Sequence, residues 1–233
     1  EVYEFEDRNG EMLCLRPEGT AGLVRALITN GLMNDEIKKF FYLGPMFRYE
    51  RPQKGRKRQF FQAGAELIGE ESTKSDVEII LLAKTILEKL NVKYTLEINY
   101  LGKEDSLNSY RSYLRKYLQN FKDELGEKVY SRLQRNPIRA IDSKDSNIQE
   151  IFKKASDISD FLKKEEKESF ERTIKSLKDL KIDFNLNKNL VRGLDYYTGT
   201  VFEFTVDGLG AQNAVIGGGR YDNLIKDLGG RDL

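Results

Sequence analysis

The chain has 233 residues, of which 39% are hydrophobic and 33% are charged, so it can bury one large core or a core domain with an inserted domain. Its 39 lysines and arginines balance 38 acidic residues, and the net charge of +1 excludes overall attraction to a polyanion. It contains no histidine, which excludes histidine-based acid–base catalysis and histidine-ligated metal sites within these residues.

The N-terminal segments predict a hairpin followed by a helix. Residues 2–5 and 12–15 alternate around Asn9-Gly10, a strong hairpin signal. A helix is expected from residue 20 or 21 to about residue 32. Glu18 and Thr20 then lie at a strand-to-helix junction, where backbone amides and short polar groups can meet a ligand. The alternative is that both residues only cap the helix.

Residues 40–50 and 59–68 predict two antiparallel strands joined by a loop rich in arginine and lysine. Because side chains alternate along a strand, the second strand has two distinct faces. One face comprises Phe60, Gln62, Gly64 and Glu66. The other comprises Phe61, Ala63, Ala65 and Leu67. We expect this apolar face to pack on a core and the first face to contact a ligand, with an exposed hairpin and a solvated charge run as the alternative.

The middle of the chain predicts helical structure. A helix at 75–90 should lie on the apolar back of the hairpin, and a strand should follow at 92–100. Residues 102–187 then predict a lysine-rich helical insertion, with a break at Pro137. Its helices are expected near residues 110–121, 125–134, 147–163 and 170–180. Mixed charges favour a solvated surface here, and a basic face that contacts RNA is the alternative.

After the insertion, the run L-V-R-G-L-D-Y-Y-T-G-T at 190–200 leads into a predicted strand at 201–205. Three glycines at 217–219 allow close backbone approach before a short helix. They lack the spacing and the Lys-Ser/Thr ending of a P-loop, and no G-x-G-x-x-G follows a strand. Both of these nucleotide-binding loops are therefore excluded.

Four motifs together resemble the histidyl-tRNA synthetases of bacteria. They are L-R-P-E-G-T at 15–20, F-R-Y-E-R-P-Q-K-G-R at 47–56, V-R-G-L-D-Y-Y-T-G at 191–199 and G-G-R-Y-D at 218–222. The third is similar to the histidine-recognition motif of that family, and the 47–66 stretch is similar to motif 2 of class II synthetases. Four motifs in this order, spanning most of the chain outside the insertion, are a specific signal.

The resemblance implies an α+β fold, with a class II synthetase-type antiparallel sheet flanked by helices and a helical insertion domain. The catalytic core would occupy residues 1–101 and 188–233, and the insertion residues 102–187. Motif 1, motif 3 and the anticodon-binding domain have no counterpart in these residues. We therefore expect a catalytic-core fragment that is weakly active or inactive by itself.

The resemblance also implies an ATP-dependent ligase that activates L-histidine to histidyl adenylate and transfers it to tRNA(His). Arg48 matches the motif 2 arginine that holds the α-phosphate and the substrate carboxylate, and Arg192 matches a second arginine on the other side of that phosphate. Arg56 would reach the outer phosphates, Phe60 would stack on adenine, and Glu50 would lie near the adenine amino group. Mg²⁺ would accompany the ATP phosphates. No tightly bound cofactor or protein metal site is implied.

A second set of residues would recognise histidine in such an enzyme. Glu18 and Thr20 would take the substrate α-ammonium, aided by Gln62, and Gly19 belongs to the same set. Glu66 would accept an imidazole N–H. Tyrosines of the two C-terminal motifs would complete the pocket, namely Tyr196, Tyr197 and Tyr221. Position 61 is Phe where many family members carry His, but strand alternation directs it to the apolar face.

Two other functions share part of this pattern. The synthetase-like regulatory subunit of ATP phosphoribosyltransferase binds histidine without activating it, but such paralogues usually lose the E-G-T and R-P-Q-K-G-R elements, which are intact here. A non-catalytic RNA-binding module would rest on the insertion and the basic loop alone. It would bind RNA with a steep salt dependence and no response to histidine.

The remaining features favour a cytoplasmic protein. Cys14 is the single cysteine and cannot form an internal disulfide, which suits a reducing compartment. No apolar stretch reaches membrane-spanning length, and the N-terminus lacks the build of a signal peptide. We therefore expect no membrane partner, and the resemblance implies a homodimer for the intact protein.

Overall fold

The computed structural model describes residues 2–33, 36–143, 145–209 and 213–231. The described part of the chain contains eight strands and seven α-helices. The strands are β1 (Tyr3–Glu6), β2 (Met12–Leu15), β3 (Lys38–Phe47), β4 (Gln59–Ile68), β5 (Thr95–Tyr100), β6 (Asn185–Leu186), β7 (Thr198–Thr205) and β8 (Ala214–Arg220). The helices are α1 (Thr20–Thr29), α2 (Thr73–Lys89), α3 (Glu104–Gln119), α4 (Lys122–Arg135), α5 (Ser146–Phe152), α6 (Lys164–Asp179) and α7 (Leu224–Asp227).

These elements fall into two compact units. Unit 1 consists of the described residues in the ranges Glu1–Lys93, Val206–Ala214 and Asp222–Leu233. Unit 2 consists of those in the ranges Tyr94–Thr205 and Val215–Tyr221. The boundaries of the expected core and insertion domains stay a prediction.

The central element of unit 1 is the hairpin of β3 and β4. The strands pair antiparallel from Lys38 with Ile68 to Phe47 with Gln59, which confirms the predicted hairpin. The first strand begins and ends earlier than expected, because residues 48–58 form the connecting loop rather than continuing the ladder. The Arg48 amide donates to the Arg58 carbonyl at 2.9 Å and closes that loop.

The expected packing of the hairpin's apolar face is wrong for the described residues. Alternation places Phe61 on the side opposite Gln62, as predicted, but the Phe61 side chain is 74% exposed. Two residues of β3 on the same face, Phe41 and Leu43, are 85% and 72% exposed. Helix α2 contacts β4 without covering these side chains. Strand alternation predicts the side of the sheet on which a residue lies. It does not predict which element covers that side.

Helix α2 begins directly after its N-cap residue, Ser72. The predicted start at residue 75 is two residues late, because Ser72 is the N-cap and its side chain accepts a hydrogen bond from the Lys74 amide. The helix buries Val77, Ile80 and Leu87 on one side, at the spacing expected for an amphipathic helix.

Unit 2 contains a four-stranded sheet with the strand order β6-β5-β7-β8. Strands β5 and β7 are antiparallel, whereas the short strand β6 pairs with β5 in parallel. The sheet is therefore mixed, with β5 and β7 as an antiparallel pair and β6 as a short parallel edge strand. The three glycines at 217–219 lie within β8, and the short helix α7 follows, as predicted.

Helices are confirmed at three of the four predicted segments of the insertion, although α3 and α6 each begin about six residues earlier than expected, at Glu104 and Lys164. The segment 147–163 forms helix α5 and a separate 3₁₀ turn at Ile158–Asp160 rather than one helix. Each begins at an aspartate whose carboxylate accepts backbone amides, Asp145 for α5 and Asp157 for the turn. Two such caps divide the apolar pattern into two short elements.

The buried core of unit 2 joins the insertion to the strands. One apolar cluster contains insertion residues, strand residues and the two residues that precede Arg192. Its buried members are Leu101, Leu107, Tyr110, Leu114, Ile138, Ile158, Leu190, Val191 and Val201. The packing of α3 and the 3₁₀ turn at Pro137–Ala140 is therefore continuous with the packing of residues 190 and 191.

Glu166 links the two long helices of the insertion. Its side chain is 1% exposed, and its carboxylate accepts the Lys103 amide at 2.5 Å, the Ser106 hydroxyl at 2.5 Å and the Lys163 amide at 2.7 Å. One buried carboxylate thus satisfies donors at the N-termini of both α3 and α6.

Replacing Glu166 with Ala is expected to lower the free energy of unfolding by about 2 kcal/mol, because two amides and a hydroxyl lose a buried acceptor. Urea unfolding followed by circular dichroism measures this change. The control is Glu165→Ala, which removes the neighbouring exposed carboxylate and should change the free energy by less than about 0.5 kcal/mol. Equal effects of the two substitutions would contradict the capping role.

Candidate functional site

The polar face of the β3–β4 hairpin forms the centre of a candidate site in unit 1. Residues directly paired in an antiparallel ladder share a face, so Phe40, Tyr42, Gly44 and Met46 lie beside Glu66, Gly64, Gln62 and Phe60. Tyr42 lies in the middle of this face. The predicted polar residues of β4 therefore surround an aromatic side chain of β3.

Tyr42 is held between two glycines. A Cβ atom added at Gly64 or at Gly19 would overlap its ring, so both positions require the absence of a side chain. The Tyr42 hydroxyl accepts a hydrogen bond from Gln62 Nε2 at 3.2 Å and lies 3.4 Å from Thr20 Oγ1. Tyr42 thus connects the hairpin to the junction between β2 and α1.

Glu66 and Thr20 form a buried pair on this face. The Thr20 hydroxyl donates to Glu66 Oε1 at 2.7 Å, and both residues are 8% exposed. A buried carboxylate requires hydrogen-bond donors, and Thr20 supplies one of them. The two predicted residues therefore lie together although 46 positions separate them.

Glu18 caps helix α1. Its two carboxylate oxygens accept the amides of Thr20 at 2.6 Å and Ala21 at 2.9 Å. This geometry is the capping alternative considered for Glu18, and it places a negative charge at the start of α1. Thr20 does not cap the helix, because its hydroxyl is directed to Glu66.

Gln62 carries an acceptor without a partner. Its Nε2 donates to Tyr42, while its Oε1 is buried and has no hydrogen bond among the described residues. An unpaired buried acceptor costs free energy comparable to a lost hydrogen bond. A ligand donor, such as an ammonium group, would satisfy it.

Arg48 lies at the other end of the same face. Its guanidinium lies over the Phe60 ring, 4.8 Å from the ring centre, and its Nε donates to the Pro17 carbonyl at 2.8 Å. The first contact orders the planar group against an aromatic face. The second ties Arg48 to the residue that precedes Glu18.

The connecting loop brings Glu50 and Arg56 together. Arg56 Nε lies 2.8 Å from Glu50 Oε2, and both side chains are partly exposed. The family resemblance implies that these two residues contact different parts of ATP. In this structure they form an ion pair with each other.

In unit 2, Arg192 is enclosed by a carboxylate and a glycine. Its Nη1 forms an ion pair with Glu203 on β7, and a Cβ atom at Gly217 on β8 would overlap its guanidinium. Arg192 Nε is buried and has no hydrogen-bond partner among the described residues. Burial raises the pKa of Glu203, and the positive charge of Arg192 opposes that shift.

The three predicted tyrosines also lie together in unit 2. The ring centres of Tyr196 and Tyr197 are 4.7 Å apart, and those of Tyr196 and Tyr221 are 5.9 Å apart in an edge-to-face arrangement. Each ring is partly exposed. The residues from the two C-terminal motifs therefore form one aromatic cluster.

Comparison with known proteins identifies the family. The model of the histidyl-tRNA synthetase family matches residues 1–233. The chain belongs to the histidyl-tRNA synthetase family. It is 48% identical to a histidine–tRNA ligase of Acaryochloris marina over 99% of this chain and 54% of that protein. It is 46% identical to one of Francisella tularensis over 100% of this chain and 56% of that protein.

Solved structures agree with this assignment. The apo histidyl-tRNA synthetase of Staphylococcus aureus has a TM-score of 0.79 and 35% identity, covering 99% of this chain and 56% of that one. This match confirms the predicted class II synthetase fold. A structure from Bacillus halodurans titled as an ATP phosphoribosyltransferase regulatory subunit/histidyl-tRNA synthetase shares the fold, at 22% identity and a TM-score of 0.66. The chain spans about half the length of the curated relatives described here.

Three residues beside the predicted ones, two in unit 1 and one in unit 2, were not predicted from the sequence. Tyr42 on β3 lies among the predicted residues of β4, and the signal for it was a glycine at the paired position on β4. Arg16 Nε donates to the Pro45 carbonyl at 2.8 Å and anchors the family's first motif to β3. Glu203 gave no local signal, because its contact with Arg192 depends on how β7 packs.

The described residues offer no preformed metal centre. Within them, no group of three or more histidine, cysteine, aspartate or glutamate side chains is arranged to hold a metal ion. The same part of the chain has no helix that is both long and apolar enough to cross a bilayer.

Replacing Gly64 with Ala is expected to lower the free energy of unfolding by about 1–3 kcal/mol, because the new methyl group displaces the Tyr42 ring. Urea unfolding gives the free energy, and near-ultraviolet circular dichroism reports the changed tyrosine environment. The control is Gly22→Ala on α1, where a Cβ atom meets nothing and helix propensity favours Ala by about 1 kcal/mol. A Gly64→Ala protein as stable as Gly22→Ala would contradict the described contact.

Proposed function

We propose that the protein is a histidine–tRNA ligase, which activates L-histidine with ATP to histidyl adenylate and then transfers the histidyl group to tRNA(His). Membership of the histidyl-tRNA synthetase family supports this assignment. The observation that carries it is the set of acceptors around Tyr42, in which Gln62 Oε1 is buried and unpaired. The direct test is histidine-dependent exchange of pyrophosphate into ATP by the native polypeptide, which means the natural protein that contains these residues.

The hairpin face suits an amino acid with a polar ring. The unpaired Gln62 Oε1 would accept the α-ammonium of histidine, and the hydroxyls of Thr20 and Tyr42 lie beside that position. Glu66 keeps one oxygen on Thr20 and would accept an imidazole N–H with the other. A site of this kind discriminates strongly against amino acids that leave its buried polar groups unpaired.

Stabilisation of the developing negative charge by arginine side chains would contribute most of the catalysis of adenylate formation. The histidine carboxylate attacks the α-phosphorus of ATP, the bond from that phosphorus to the bridging oxygen breaks, and pyrophosphate leaves. Arg48 would stabilise the charge that develops on the α-phosphate oxygens, and its stacking on Phe60 holds the guanidinium ready. Phe60 would also stack on adenine.

The remaining roles rest on the family motifs. Arg192 would contribute a second positive charge to the phosphate, and Tyr196, Tyr197 and Tyr221 would line the imidazole. Arg56 would leave its ion pair with Glu50 and bind the outer phosphates of ATP. The Glu50 carboxylate would then accept a hydrogen bond from the adenine amino group. Mg²⁺ would accompany those phosphates. Because the family resemblance implies them, a cytoplasmic location and a homodimer are also proposed.

Replacing Glu66 with Ala should mainly impair histidine recognition. We expect the KM for histidine to rise about 10- to 100-fold, because the imidazole N–H and the Thr20 hydroxyl lose a buried acceptor, and kcat to change less. The exchange assay with varied histidine measures both constants. Glu71→Ala removes an exposed carboxylate just beyond β4 and serves as the control. An unchanged KM for histidine would contradict the role of Glu66.

Replacing Arg48 with Ala should instead impair the chemical step. We expect kcat for exchange to fall about 100-fold, the usual cost of one donor to a developing oxyanion. Arg48→Lys should recover little activity, since an ammonium lacks the planar fork and the stacking surface. The control Arg25→Ala removes an exposed arginine on α1 and should leave kcat unchanged. An Arg48→Ala enzyme altered in RNA affinity alone would contradict the assignment.

A further inference from the structure

Arg192 lies on a segment that has no regular secondary structure to fix the position of its backbone. Residues 190–197 contain no helix or strand in the structure, and regular structure resumes at Thr198 on β7. We call residues 191–197 the arginine segment. A catalytic group must be held to within a fraction of an ångström, so this segment needs support from elsewhere in the fold.

Apolar packing supplies the first support, at the beginning of the arginine segment. Leu190 and Val191 are 7% and 6% exposed and belong to the same buried cluster as Tyr110, Leu114 and Ile138 of the insertion. This packing anchors the backbone one residue before Arg192. It leaves residues 192–195 to be positioned by polar contacts.

Three side chains of the insertion make those polar contacts. The longest runs from Arg111 Nη2 on α3 to the Asp195 carbonyl at 3.5 Å. Asn136 and Arg139 make the two shorter ones. Asn136 Nδ2 donates to Asp195 Oδ1 at 2.5 Å, and Arg139 Nη1 donates to the Arg192 carbonyl at 3.1 Å. One contact involves a charged acceptor, which strengthens it. The other acts on the backbone of Arg192 itself.

The backbone of Asn136 and Arg139 lies beside buried neighbours, and Arg139 Nη1 also lies 3.2 Å from Asp142 Oδ2. Asn136 ends helix α4, and the 3₁₀ turn Pro137–Ala140 follows at once, with its Pro137, Ile138 and Ala140 buried. The Arg139 amide donates to the Asn136 carbonyl at 3.3 Å, so the turn links the two residues. A buried turn that presents two donors is a stable support for a backbone segment without regular secondary structure.

From these contacts we propose that Asn136 and Arg139 are positioning residues, through which the insertion sets the place of Arg192 for adenylate formation. Glu203 orients the guanidinium from β7, and the insertion holds the backbone that carries it. The inference rests on the proposed function for its catalytic consequence. Its structural part, that the insertion restrains the arginine segment, is independent of the reaction.

The kinetic test uses Asn136→Ala and Arg139→Ala in the native polypeptide. Each should lower kcat for histidine-dependent ATP–pyrophosphate exchange about 10- to 100-fold, with an unchanged fraction of titratable active sites. The controls are Asn120→Ala, which alters an exposed asparagine that ends α3 as Asn136 ends α4, and Arg135→Ala, next to Asn136. Both controls should keep the kcat of the unmodified protein. Unchanged kcat in both test variants would overturn the proposal.

A double-substitution cycle separates positioning from general destabilisation. If Asn136 acts through Arg192, the Asn136→Ala/Arg192→Ala protein should be no slower than Arg192→Ala alone. Full multiplication of the two single effects would mean that Asn136 acts independently of Arg192, and would overturn the proposal.

A second readout does not depend on the reaction. Trypsin cleaves after Arg192 only when the arginine segment opens, so Asn136→Ala and Arg139→Ala should be cut there about tenfold faster, while both controls are cut at the original rate. Mass spectrometry identifies the cut. Equal cleavage rates would contradict the restraint even in a protein without exchange activity. If the unmodified protein catalyses exchange, faster cleavage with an unchanged kcat would contradict the positioning role. If the unmodified protein catalyses no exchange, only the proposed function would be refuted.

Discussion

The candidate site of unit 1 depends on the buried hydrogen bond between Thr20 and Glu66. It joins the start of α1 to a strand 46 residues further along the chain. Around it, Tyr42 fills the space left by Gly19 and Gly64, and its hydroxyl accepts from Gln62. A buried carboxylate is stable only with hydrogen-bond donors, so this pair fixes both backbone segments in one geometry. Among the described residues Gln62 Oε1 has no hydrogen-bond partner, and in the proposed function the substrate ammonium supplies one.

Positive charge is held differently in the two units. Arg48 is ordered by the Phe60 ring and by the Pro17 carbonyl, which accepts from its Nε rather than from its terminal nitrogens. Arg192 is paired with a carboxylate whose own pKa is raised by burial. The guanidinium of Arg192 is therefore oriented by a charge partner, while its backbone is held by residues of the insertion. In the proposed function, both arginines are ordered without a substrate, which is the condition under which electrostatic stabilisation is most effective.

Much of the hairpin could be predicted from the sequence, because strand alternation is a local property. The faces of β4 follow from the period of two, and the pairing of β3 with β4 follows from the loop between them. Tyr42 was missed because its role depends on register, which local patterns determine only weakly. The exposure of Phe61 was also missed, since alternation does not say what covers a face. Contacts such as Asn136 with Asp195 join residues 59 positions apart and leave no local signal at all.

The central claim is that the acceptors around Tyr42 recognise the α-ammonium of histidine. Titration calorimetry on the native polypeptide can compare histidine with imidazole propionate, which has the same ring and carboxylate but lacks the amino group. Imidazole propionate should bind about 100-fold more weakly, because Gln62 Oε1 then stays unpaired in the complex. Equal affinities for the two ligands would contradict it.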